Sequence, residues 1–171
     1  NYRRDQELMK YAQTDALTGL YNKETTKLRT DEILSTDKDM IHAFLILDMD
    51  CFKQINDGYG HAVGDIVLQK FGQLLRDIFR EDDIVGRIGG DEFVVVMKNI
   101  KMKEMAIAKA EELLTKTQQY EIKELNGSAI SISIGIAMAP EDGECYMDLY
   151  KRADQALYQA KRSGKARVCG Y

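Results

Sequence analysis

Two pairs of acidic residues stand at corresponding places in this sequence, each at one end of an apolar segment. Asp48 and Asp50 follow the apolar run 43–47, and their side chains face the same way if the strand continues past the run. Asp91 and Glu92 follow a Gly–Gly turn and begin the next apolar stretch. A strand end beside a hairpin tip would gather up to four carboxylates, whose mutual repulsion a divalent cation relieves. Such oxygen ligands favour Mg²⁺ or Mn²⁺. The alternative is that these acids only keep the strand ends solvated, as Asp and Glu often do.

The segment between the two pairs has residue types that suit a nucleotide. Residues 48–65 include three glycines, which let the backbone approach a ligand closely. Lys53 is a point charge for a phosphate. Asn56 and Asp65 have the acceptors to read a guanine edge, whose N1–H and amino group are donors. From composition alone, however, turn chemistry and helix N-capping are the simpler explanations of Asn56 and Asp65.

Apolar periodicity predicts the elements that position these residues. Continuous apolar runs and strict alternation indicate strands, and apolar residues at helical spacing indicate helices. The order α-β-α-β-β-α-β-α-β predicts an antiparallel-containing α/β sandwich, with helices packed on a sheet. The predicted helices are 23–34, 63–79, 101–119 and 147–161; the predicted strands are 43–47, a hairpin within 87–97, 129–138 and 166–169.

The last long strand is predicted to be half-buried. In residues 129–138 the large apolar side chains alternate with Ser, Gly and Ala, so one face is apolar and the other carries only small side chains. A strand with this pattern is expected to cover the core with one face.

The first residues are predicted to form a helical arm outside the core. Tyr2, Leu8, Met9 and Tyr11 have loosely helical spacing, but they are too few to build a core of their own. We expect residues 1–13 to be the end of a linker from an upstream domain, and residues 14–171 to form one domain.

The composition limits the classes of protein and partner. The 171 residues carry 24 basic and 28 acidic side chains, for a net charge of −4, which argues against binding to a nucleic acid polymer. No apolar run approaches the roughly 18 residues of a membrane helix, and no signal-peptide pattern opens the chain. Three cysteines without CxxC spacing suit neither a disulfide framework nor a zinc site, and they favour a reducing, cytoplasmic location. Basic charge is concentrated in residues 145–171.

Five sequence blocks occur in order along the chain: DALTGLYNK (15–23), DMDCFKQINDGYGHAVGD (48–65), RIGGDEF (87–93), SISIGIA (131–137) and ADQALYQAKRSGKARV (153–168). Together these blocks resemble the GGDEF domain of diguanylate cyclases, bacterial enzymes that make cyclic di-GMP from GTP. The similarity runs from Asp15 to about Val168, and five blocks in order are more specific than the GGDEF pentapeptide alone. Lys165 stands where the family usually has Arg, which keeps the charge but loses the bidentate fork.

The resemblance implies a fold like the palm of nucleotidyl cyclases and polymerases. That fold has a central mixed, mainly antiparallel sheet surrounded by helices, with a β-hairpin that carries the GGDEF motif. Residues 14–171 would then be a catalytic domain that condenses two GTP molecules into cyclic di-GMP and two pyrophosphates with Mg²⁺ or Mn²⁺. Because one domain holds one GTP, the resemblance also implies a homodimer, commonly brought together by an upstream sensor domain. Membrane anchoring of the parent protein is left open.

The resemblance also assigns roles to the matching positions. Asn56 and Asp65 would recognise guanine, the lysines would bind the triphosphate, and the two glycines would let the backbone pass close to it. Which acid accepts the proton is left open. The resemblance assigns metal binding to Asp48, Met49 (through its carbonyl), Asp91 and Glu92, catalysis to Asp48, Asp91, Glu92 and Lys53, and substrate binding to Phe52, Lys53, Asn56, Asp65, Gly89, Gly90, Lys161 and Lys165.

A short charged motif precedes the GGDEF block at the spacing of the family's inhibitory product site. Arg80 and Asp83 match the RxxD pattern of that site. The Arg80 fork suits a phosphate or a guanine edge, and Asp83 has acceptors for guanine. The alternative is an ordinary solvated charge run at a helix end. We expect cyclic di-GMP to bind here as an inhibitor.

Three other functions agree with parts of the sequence. A GGDEF domain that has lost catalysis would bind GTP or cyclic di-GMP as a regulatory module, but such domains usually have a damaged motif and residues 89–93 are intact. A cyclase that also accepts ATP is disfavoured by Asp65, which reads guanine. A purely structural dimerisation module is disfavoured, because it would not explain the acidic clusters or the lysines assigned to phosphate binding.

Overall fold

The computed structural model describes all 171 residues and contains six α-helices and five strands. A short 3₁₀ turn, Lys123–Leu125, lies between the fifth helix and the fourth strand. The helices are α1 (Tyr2–Gln13), α2 (Lys23–Thr36), α3 (Phe52–Tyr59), α4 (His61–Ile78), α5 (Lys103–Gln119) and α6 (Tyr146–Arg162). The strands are β1 (Ile41–Met49), β2 (Ile84–Gly89), β3 (Glu92–Ile100), β4 (Ile132–Ala139) and β5 (Val168–Gly170).

The five strands form one sheet in the order β2-β3-β1-β4-β5. Neighbouring strands are antiparallel except β4 and β5, which are parallel. Strands β2 and β3 form a hairpin, and β1 lies in the middle of the sheet between β3 and β4. This mixed, mainly antiparallel sheet with surrounding helices confirms the predicted fold class.

Helices cover both faces of the sheet, so the sheet is buried on both sides. A core of 26 buried residues lies under α4 and α5 and includes Phe71 and Leu113. A second core of 12 buried residues lies under α2 and α6 and includes Leu34 and Leu157. Successive residues of β1 enter the two cores alternately, which explains why that strand is an unbroken apolar run.

The prediction that the strand near residues 129–138 is half-buried is wrong. All eight residues of β4 are buried, because α6 packs on the face that carries the small side chains. Gly135 makes this contact close. A Cβ at Gly135 would lie 2.1 Å from the carbonyl oxygen of Ala153 and 2.4 Å from the backbone nitrogen of Leu157. The face of β4 that carries the small side chains therefore packs against α6 and is not exposed to solvent.

Helix α3 is absent from the predicted order and follows β1 almost directly. Its eight residues lie in the glycine-containing segment that precedes the predicted helix at 63–79. Phe52 and Ile55 pack on the larger core at helical spacing. A helix this short has too few apolar positions to show a clear period, and Gly58 lowers its helix propensity further.

Helix α1 contains no buried residue. Tyr2, Leu8, Met9 and Tyr11 are all exposed, so no other element of the chain covers the apolar side chains of this helix. Its assignment to a linker from an upstream domain stays a prediction. None of the helices combines the length and the apolar character that crossing a bilayer requires.

Candidate active site

The end of β1 and the turn of the β2–β3 hairpin meet at one edge of the sheet. Asp48 on β1 lies opposite Glu92 in the antiparallel register. The backbone N–H of Met49 donates to the carbonyl oxygen of Asp91 at 3.4 Å. Because the pairing of β1 with β3 sets this register, the structure brings Asp48, Asp91 and Glu92 together although they are far apart in the sequence.

The two oxygens of the Asp48 carboxylate have different surroundings. Its Oδ2 lies 2.8 Å from Nζ of Lys161. Its Oδ1 is buried and has no hydrogen-bond partner. Leaving a carboxylate oxygen buried without a donor costs free energy, so a cation or a ligand that donates a hydrogen bond would stabilise it.

Asp91 is half-buried beside Asp48, and its carboxyl group responds to that neighbour. Burial and the adjacent Asp48 carboxylate raise the pKa of Asp91 to about 6 from an ordinary value of 3.8. Lys161 lowers the pKa of Asp91 but does not cancel this rise. Two carboxylates that are only partly neutralised by one ammonium group favour the binding of a divalent cation.

Glu92 is held from the opposite side by helix α6. The hydroxyl of Tyr150 donates a hydrogen bond to Oε1 of Glu92. Burial raises the pKa of Glu92, the Tyr150 hydrogen bond opposes that rise, and Asp48 and Asp154 add to it. Burial and the Glu92 carboxylate also raise the pKa of Tyr150 above its ordinary value, so the phenol remains a hydrogen-bond donor.

Asp50 makes its hydrogen bonds inside the protein, although Nζ of Lys161, which contacts Asp48, also lies 3.8 Å from Oδ1 of Asp50. The prediction that Asp50 faces the same way as Asp48 required the strand to continue past Met49, and that condition is not met. Strand β1 ends before Asp50, and the Asp50 side chain turns into the protein. Ser131 and Ser133 donate to its two oxygens at 2.5 and 2.7 Å, and the backbone N–H of Ala166 donates at 3.1 Å. Asp50 therefore ties the end of β1 to β4 and to the segment before β5.

The acidic residues have the chemistry for only part of a metal site. The structure contains no group of three or more His, Cys, Asp or Glu side chains that could hold a metal ion by themselves. Of the up to four carboxylates expected to converge, Asp50 is instead bound by Ser131 and Ser133. The side chains best suited to a hard cation are Asp48, through its unpartnered Oδ1, and the adjacent Asp91, with Glu92 opposite Asp48 in the strand register. Phosphate oxygens of a nucleotide would supply further ligands of the kind that Mg²⁺ prefers.

The predicted guanine-reading residues lie on two consecutive helices, Asn56 on α3 and Asp65 near the start of α4. A Cβ at Gly64 would lie 2.0 Å from Oδ1 of Asn56, so this glycine lets Asn56 pack directly against α4. Neither Asn56 nor Asp65 caps a helix, which removes N-capping as their explanation. Phe52, assigned to substrate binding as well, packs on the larger core.

The three predicted phosphate lysines lie near the start of α3 and the end of α6. Lys53 is exposed in the first turn of α3. Lys165 is exposed, and its Nζ lies 3.6 Å from Sγ of Cys51, the residue that precedes α3. Lys161, in the last turn of α6, contacts Asp48 instead. Lys53 and Lys165 are thus available to an anion, whereas Lys161 neutralises the carboxylates.

The hairpin tip is open and is anchored by two residues that sequence reasoning missed. A Cβ at Gly89 or Gly90 would meet no atom within 4 Å, and Gly90 has a φ of 51°, which favours glycine. Arg87 donates through Nε to the carbonyl oxygen of Gly90 and through Nη1 to Oδ1 of Asp15, both at 2.9 Å. Arg87 and Asp15 belong to two of the five sequence blocks, which is the signal that could have identified them.

The two residues of the predicted product site bind each other. Nη2 of Arg80 lies 3.1 Å from Oδ1 of Asp83. The backbone N–H groups of Arg80 and Lys98 donate to the same carboxylate at 3.0 Å. The Asp83 side chain is 2% exposed, and the Arg80 side chain is 59% exposed. Arg80 is therefore the residue that can reach a ligand, and Asp83 holds it in place.

Two cavities open at these residues. The larger has a volume of about 650 Å³ and is lined by Asp48, Glu92 and Lys161 together with other residues of α6 and the C-terminal segment. The second has a volume of about 390 Å³, and Arg80 and Asp83 line part of it. Both volumes are in the range of small-molecule sites, and Asn56 and Asp65, the predicted guanine-reading residues, lie outside both.

The fold and the acidic edge of the sheet define the class, a nucleotidyl-cyclase-like domain with a palm-like sheet. Comparison with known proteins identifies the family, because the family described as "Diguanylate cyclase, GGDEF domain" matches residues 12–167. Diguanylate cyclase DgcS of Shewanella oneidensis is 37% identical over 163 residues, which cover 94% of this chain and 53% of the relative. The uncharacterized protein YhcK of Bacillus subtilis is 38% identical over 163 residues, which cover 92% and 45%. The chain spans about half the length of these relatives.

Solved structures show the same fold. The GGDEF domain of TpbB from Pseudomonas aeruginosa is 35% identical with a TM-score of 0.85, over 92% of this chain and 93% of that one. The coiled coil and GGDEF domain of DgcB from Caulobacter crescentus, in complex with c-di-GMP, is 25% identical with a TM-score of 0.90, over 99% and 91%. The chain belongs to the GGDEF-domain family of diguanylate cyclases.

Proposed function

We propose that this chain is the catalytic domain of a diguanylate cyclase, which condenses two molecules of GTP into cyclic di-GMP and two pyrophosphates. The observation that carries the proposal is the meeting of Asp48 and Asp91 beside Lys161, with one buried Asp48 oxygen left without a partner. A divalent cation and a triphosphate together satisfy such a mixture of charges. The Gly-Gly-Asp-Glu-Phe motif at residues 89–93 is intact as well.

In each half-reaction the 3′-hydroxyl oxygen of one GTP attacks the α-phosphorus of the other. The bond from that phosphorus to the pyrophosphate oxygen breaks, and the hydroxyl proton is lost. Lys53 and Lys165 bind the triphosphate as point charges, and Lys161 is a third ammonium group beside the reacting centre. Positive charge placed there stabilises the negative charge that develops on the leaving pyrophosphate.

The acidic edge of the sheet is the proposed site of Mg²⁺ or Mn²⁺. A divalent ion held there would lower the pKa of the attacking hydroxyl and offset charge on the attacking and leaving oxygens. Asp48 has the best-suited oxygen, because its Oδ1 is buried and unpartnered. The proposed ligands are Asp48, the Met49 carbonyl, Asp91 and Glu92.

Guanine is the proposed base of the substrate. The carboxylate of Asp65 accepts hydrogen bonds from N1–H and the amino group of guanine, and Asn56 supplies a donor and an acceptor. Adenine lacks that pair of donors, so the same residues bind ATP less well. Asp65 is exposed and Asn56 is half-buried, which leaves both accessible to a nucleotide.

A homodimer is part of the proposed mechanism. One domain offers one guanine site, so two domains must face each other for two GTP molecules to react. The structure of the neighbour DgcB comprises a coiled coil and a GGDEF domain, and a coiled coil joins two or more helices, which supports dimerisation. We extend this proposal to an upstream sensor domain in the full-length protein and to action in the cytoplasm.

Inhibition by the product is proposed at Arg80. The Arg80 guanidinium is exposed and is oriented by the buried Asp83, so it is ready to bind a phosphate of cyclic di-GMP. The structure of DgcB was solved in complex with c-di-GMP, which supports binding of this ligand within the family.

The proposal is tested with a fusion of this chain to a dimerising coiled coil, incubated with GTP and either Mg²⁺ or Mn²⁺. We expect chromatography to resolve cyclic di-GMP and pyrophosphate from GTP, and no cyclic product from ATP under the same conditions. A dimeric protein that binds GTP but forms no cyclic di-GMP would contradict the proposal and identify the chain as a nucleotide-binding module.

A further inference from the structure

Helix α6 carries two tyrosines one turn apart, and they differ in their hydrogen bonding. The Tyr150 hydroxyl donates to Oε1 of Glu92. The Tyr146 hydroxyl is buried and has no partner. The two rings stack, with centroids 5.8 Å apart and an interplanar angle of 28°. Contact with the hairpin therefore distinguishes Tyr150 from an otherwise similar neighbour.

The contact of Tyr150 with Glu92 gives α6 a second point of attachment to the acidic edge of the sheet. Glu92 begins β3 and lies opposite Asp48. The same helix provides Lys161, whose ammonium group contacts Asp48. One helix thus contacts both members of this cross-strand acidic pair, through a phenol at one and an ammonium group at the other.

The acidic pair itself needs such support. Like charges directly opposite each other on neighbouring strands repel, and this repulsion favours rotation of Glu92 away from Asp48. A hydrogen bond from a side chain on another element restricts that rotation. Outer partners of this kind commonly orient the side chains that bind metal ions.

We propose that Tyr150 is a positioning residue for the metal site. It holds one oxygen of the Glu92 carboxylate, so that the other oxygen is directed to Asp48 and to the cavity that both acids line, where Mg²⁺ or Mn²⁺ binds with the nucleotide. This inference rests on the proposed function, and it adds to it a residue outside the acidic motif.

The chain offers a matched pair of variants for the test. Tyr150→Phe removes the hydroxyl and keeps the ring that stacks on Tyr146. Tyr146→Phe removes a hydroxyl from the same face of the same helix, but one without a partner. An effect of the Tyr150 substitution alone therefore reports the hydrogen bond to Glu92 and not the loss of a tyrosine from α6.

The first measurement is metal binding by the full 171-residue chain. Free Mn²⁺ is followed by electron paramagnetic resonance in the presence of α,β-methylene-GTP, a nucleotide that cannot release pyrophosphate. We expect Tyr150→Phe to bind Mn²⁺ about tenfold more weakly than the unmodified chain. We expect Tyr146→Phe to bind it with unchanged affinity, and both variants to keep the unfolding temperature of the unmodified chain.

The second measurement is turnover by the dimerised forms. Tyr150→Phe should lower kcat and raise the Mn²⁺ concentration for half-maximal rate, with KM for GTP unchanged, because no contact with guanine is lost. In a Glu92→Gln background, Tyr150→Phe should have no further effect on Mn²⁺ affinity, since it acts through the Glu92 carboxylate.

Two results would overturn the inference. One is equal Mn²⁺ affinity in Tyr150→Phe and the unmodified chain. The other is a lower unfolding temperature with unchanged Mn²⁺ affinity, which would make Tyr150 a purely structural contact. A failure of the proposed function is distinguishable from both results, because it is seen in the unmodified chain. If that chain neither binds Mn²⁺ nor forms cyclic di-GMP, the proposed function is wrong, and so is the inference that rests on it.

Discussion

Asp48 and Asp50 are identical side chains two positions apart, and their surroundings assign them different roles. Asp50 accepts hydrogen bonds from two serines and a backbone amide, so it is satisfied within the protein. Both carboxylates lie near the ammonium group of Lys161, at 2.8 Å for Asp48 and 3.8 Å for Asp50, but only Asp48 leaves a buried oxygen without a partner. The free-energy cost of that oxygen makes Asp48, and not Asp50, the residue that gains from a cation.

Asp91→Asn is expected to abolish turnover and to leave the fold intact. Asparagine keeps the shape of the side chain but lacks the negative charge that attracts a cation. The substitution also removes the repulsion between Asp91 and Asp48, which together with burial raises the pKa of Asp91. We expect cyclic di-GMP formation to fall roughly 100-fold or more, with an unfolding temperature that is unchanged or higher. Product chromatography and calorimetry measure the two effects. Turnover near that of the unmodified chain would remove Asp91 from the metal site.

Arg80→Ala is expected to abolish product inhibition and to keep catalysis. The exposed guanidinium is lost, while the Asp83 carboxylate keeps the backbone hydrogen bonds from residues 80 and 98. The measurement is initial rate against added cyclic di-GMP. Arg80→Lys should show intermediate inhibition, because it keeps the charge without the bidentate fork. An inhibition curve that Arg80→Ala does not change would disprove the assignment of this site.

The hairpin and helix α6 are each held by contacts that touch no substrate. The hairpin turn is bound by Arg87, which also bonds to Asp15 in the segment before α2. Helix α6 reaches the sheet because Gly135 leaves room for its backbone. These contacts set the relative positions of the acidic motif and Lys161, so they should affect stability and catalysis together.

Asp15→Asn is expected to destabilise the protein in a pH-dependent way. Burial alone would raise the pKa of Asp15, but hydrogen bonds from Thr18 and the charge of Arg87 outweigh it and lower the pKa below 3.8. The ionised form is therefore favoured in the folded state, and its stabilisation is present above about pH 4 and lost as the pH falls through the lowered value. At pH 7 the substitution should cost about 1–3 kcal/mol.

The check on Asp15 is the unfolding temperature of both proteins between pH 7 and pH 3. The difference between the unmodified chain and Asp15→Asn should narrow as the pH falls below about 4. A difference that stays constant over this range would show that the charge of Asp15 is not what stabilises the contact.

Gly135→Ala is expected to destabilise the protein by about 1–3 kcal/mol or more, because the new Cβ would collide with the backbone of α6. Turnover should fall too, since displacement of α6 moves Lys161 away from Asp48. Gly58→Ala is the matched control, because nothing lies within 4 Å of its Cβ and it sits in α3. That control should be stabilising by about 0.5–1 kcal/mol in urea unfolding. Equal effects of the two substitutions would refute this account of Gly135.

The distribution of charge over the folded domain matters more than its net value of −4. The fold gathers Asp48, Asp91 and Glu92 at one edge of the sheet, and it places Lys53 and Lys165 near the start of α3. A nucleotide bound with a divalent cation presents both signs of charge, so such a surface attracts it although the net charge disfavours polyanions.

The rate per protein molecule is expected to depend on protein concentration, because the proposed mechanism requires two copies to meet for each molecule of product. A coiled coil fused ahead of Asn1 should raise the rate at low micromolar protein and remove this dependence, since it supplies a high effective concentration of the second domain. Activity assays at several protein concentrations, with light scattering for mass, provide the check. A rate per molecule that is constant in a monomeric sample would exclude the dimeric mechanism.

The local sequence was sufficient to predict most elements of this protein and the fold class. In a long segment the spacing of apolar residues reflects which of its faces are buried. For that reason β1, α4, α5 and α6 could be located from the sequence within a few residues. The meeting of Asp48 with Asp91 and Glu92 could also be predicted, because a strand end and a hairpin tip can each be recognised in the sequence. Helix α3 was missed, since eight residues with a glycine carry little periodic signal.

The tertiary structure decided which polar groups are satisfied, and periodicity contains no information about that. The burial of both faces of β4 depends on α6. The structural role of Asp50 depends on Ser131 and Ser133, which are 81 and 83 positions away from it in the sequence. The ring of His42 accepts a hydrogen bond from the backbone N–H of Asn99, and its other nitrogen lies 3.0 Å from the carbonyl oxygen of Asp37. Each of these roles is set by partners distant in the sequence, because a hydrogen bond or a packed face needs a second element that only folding brings into place.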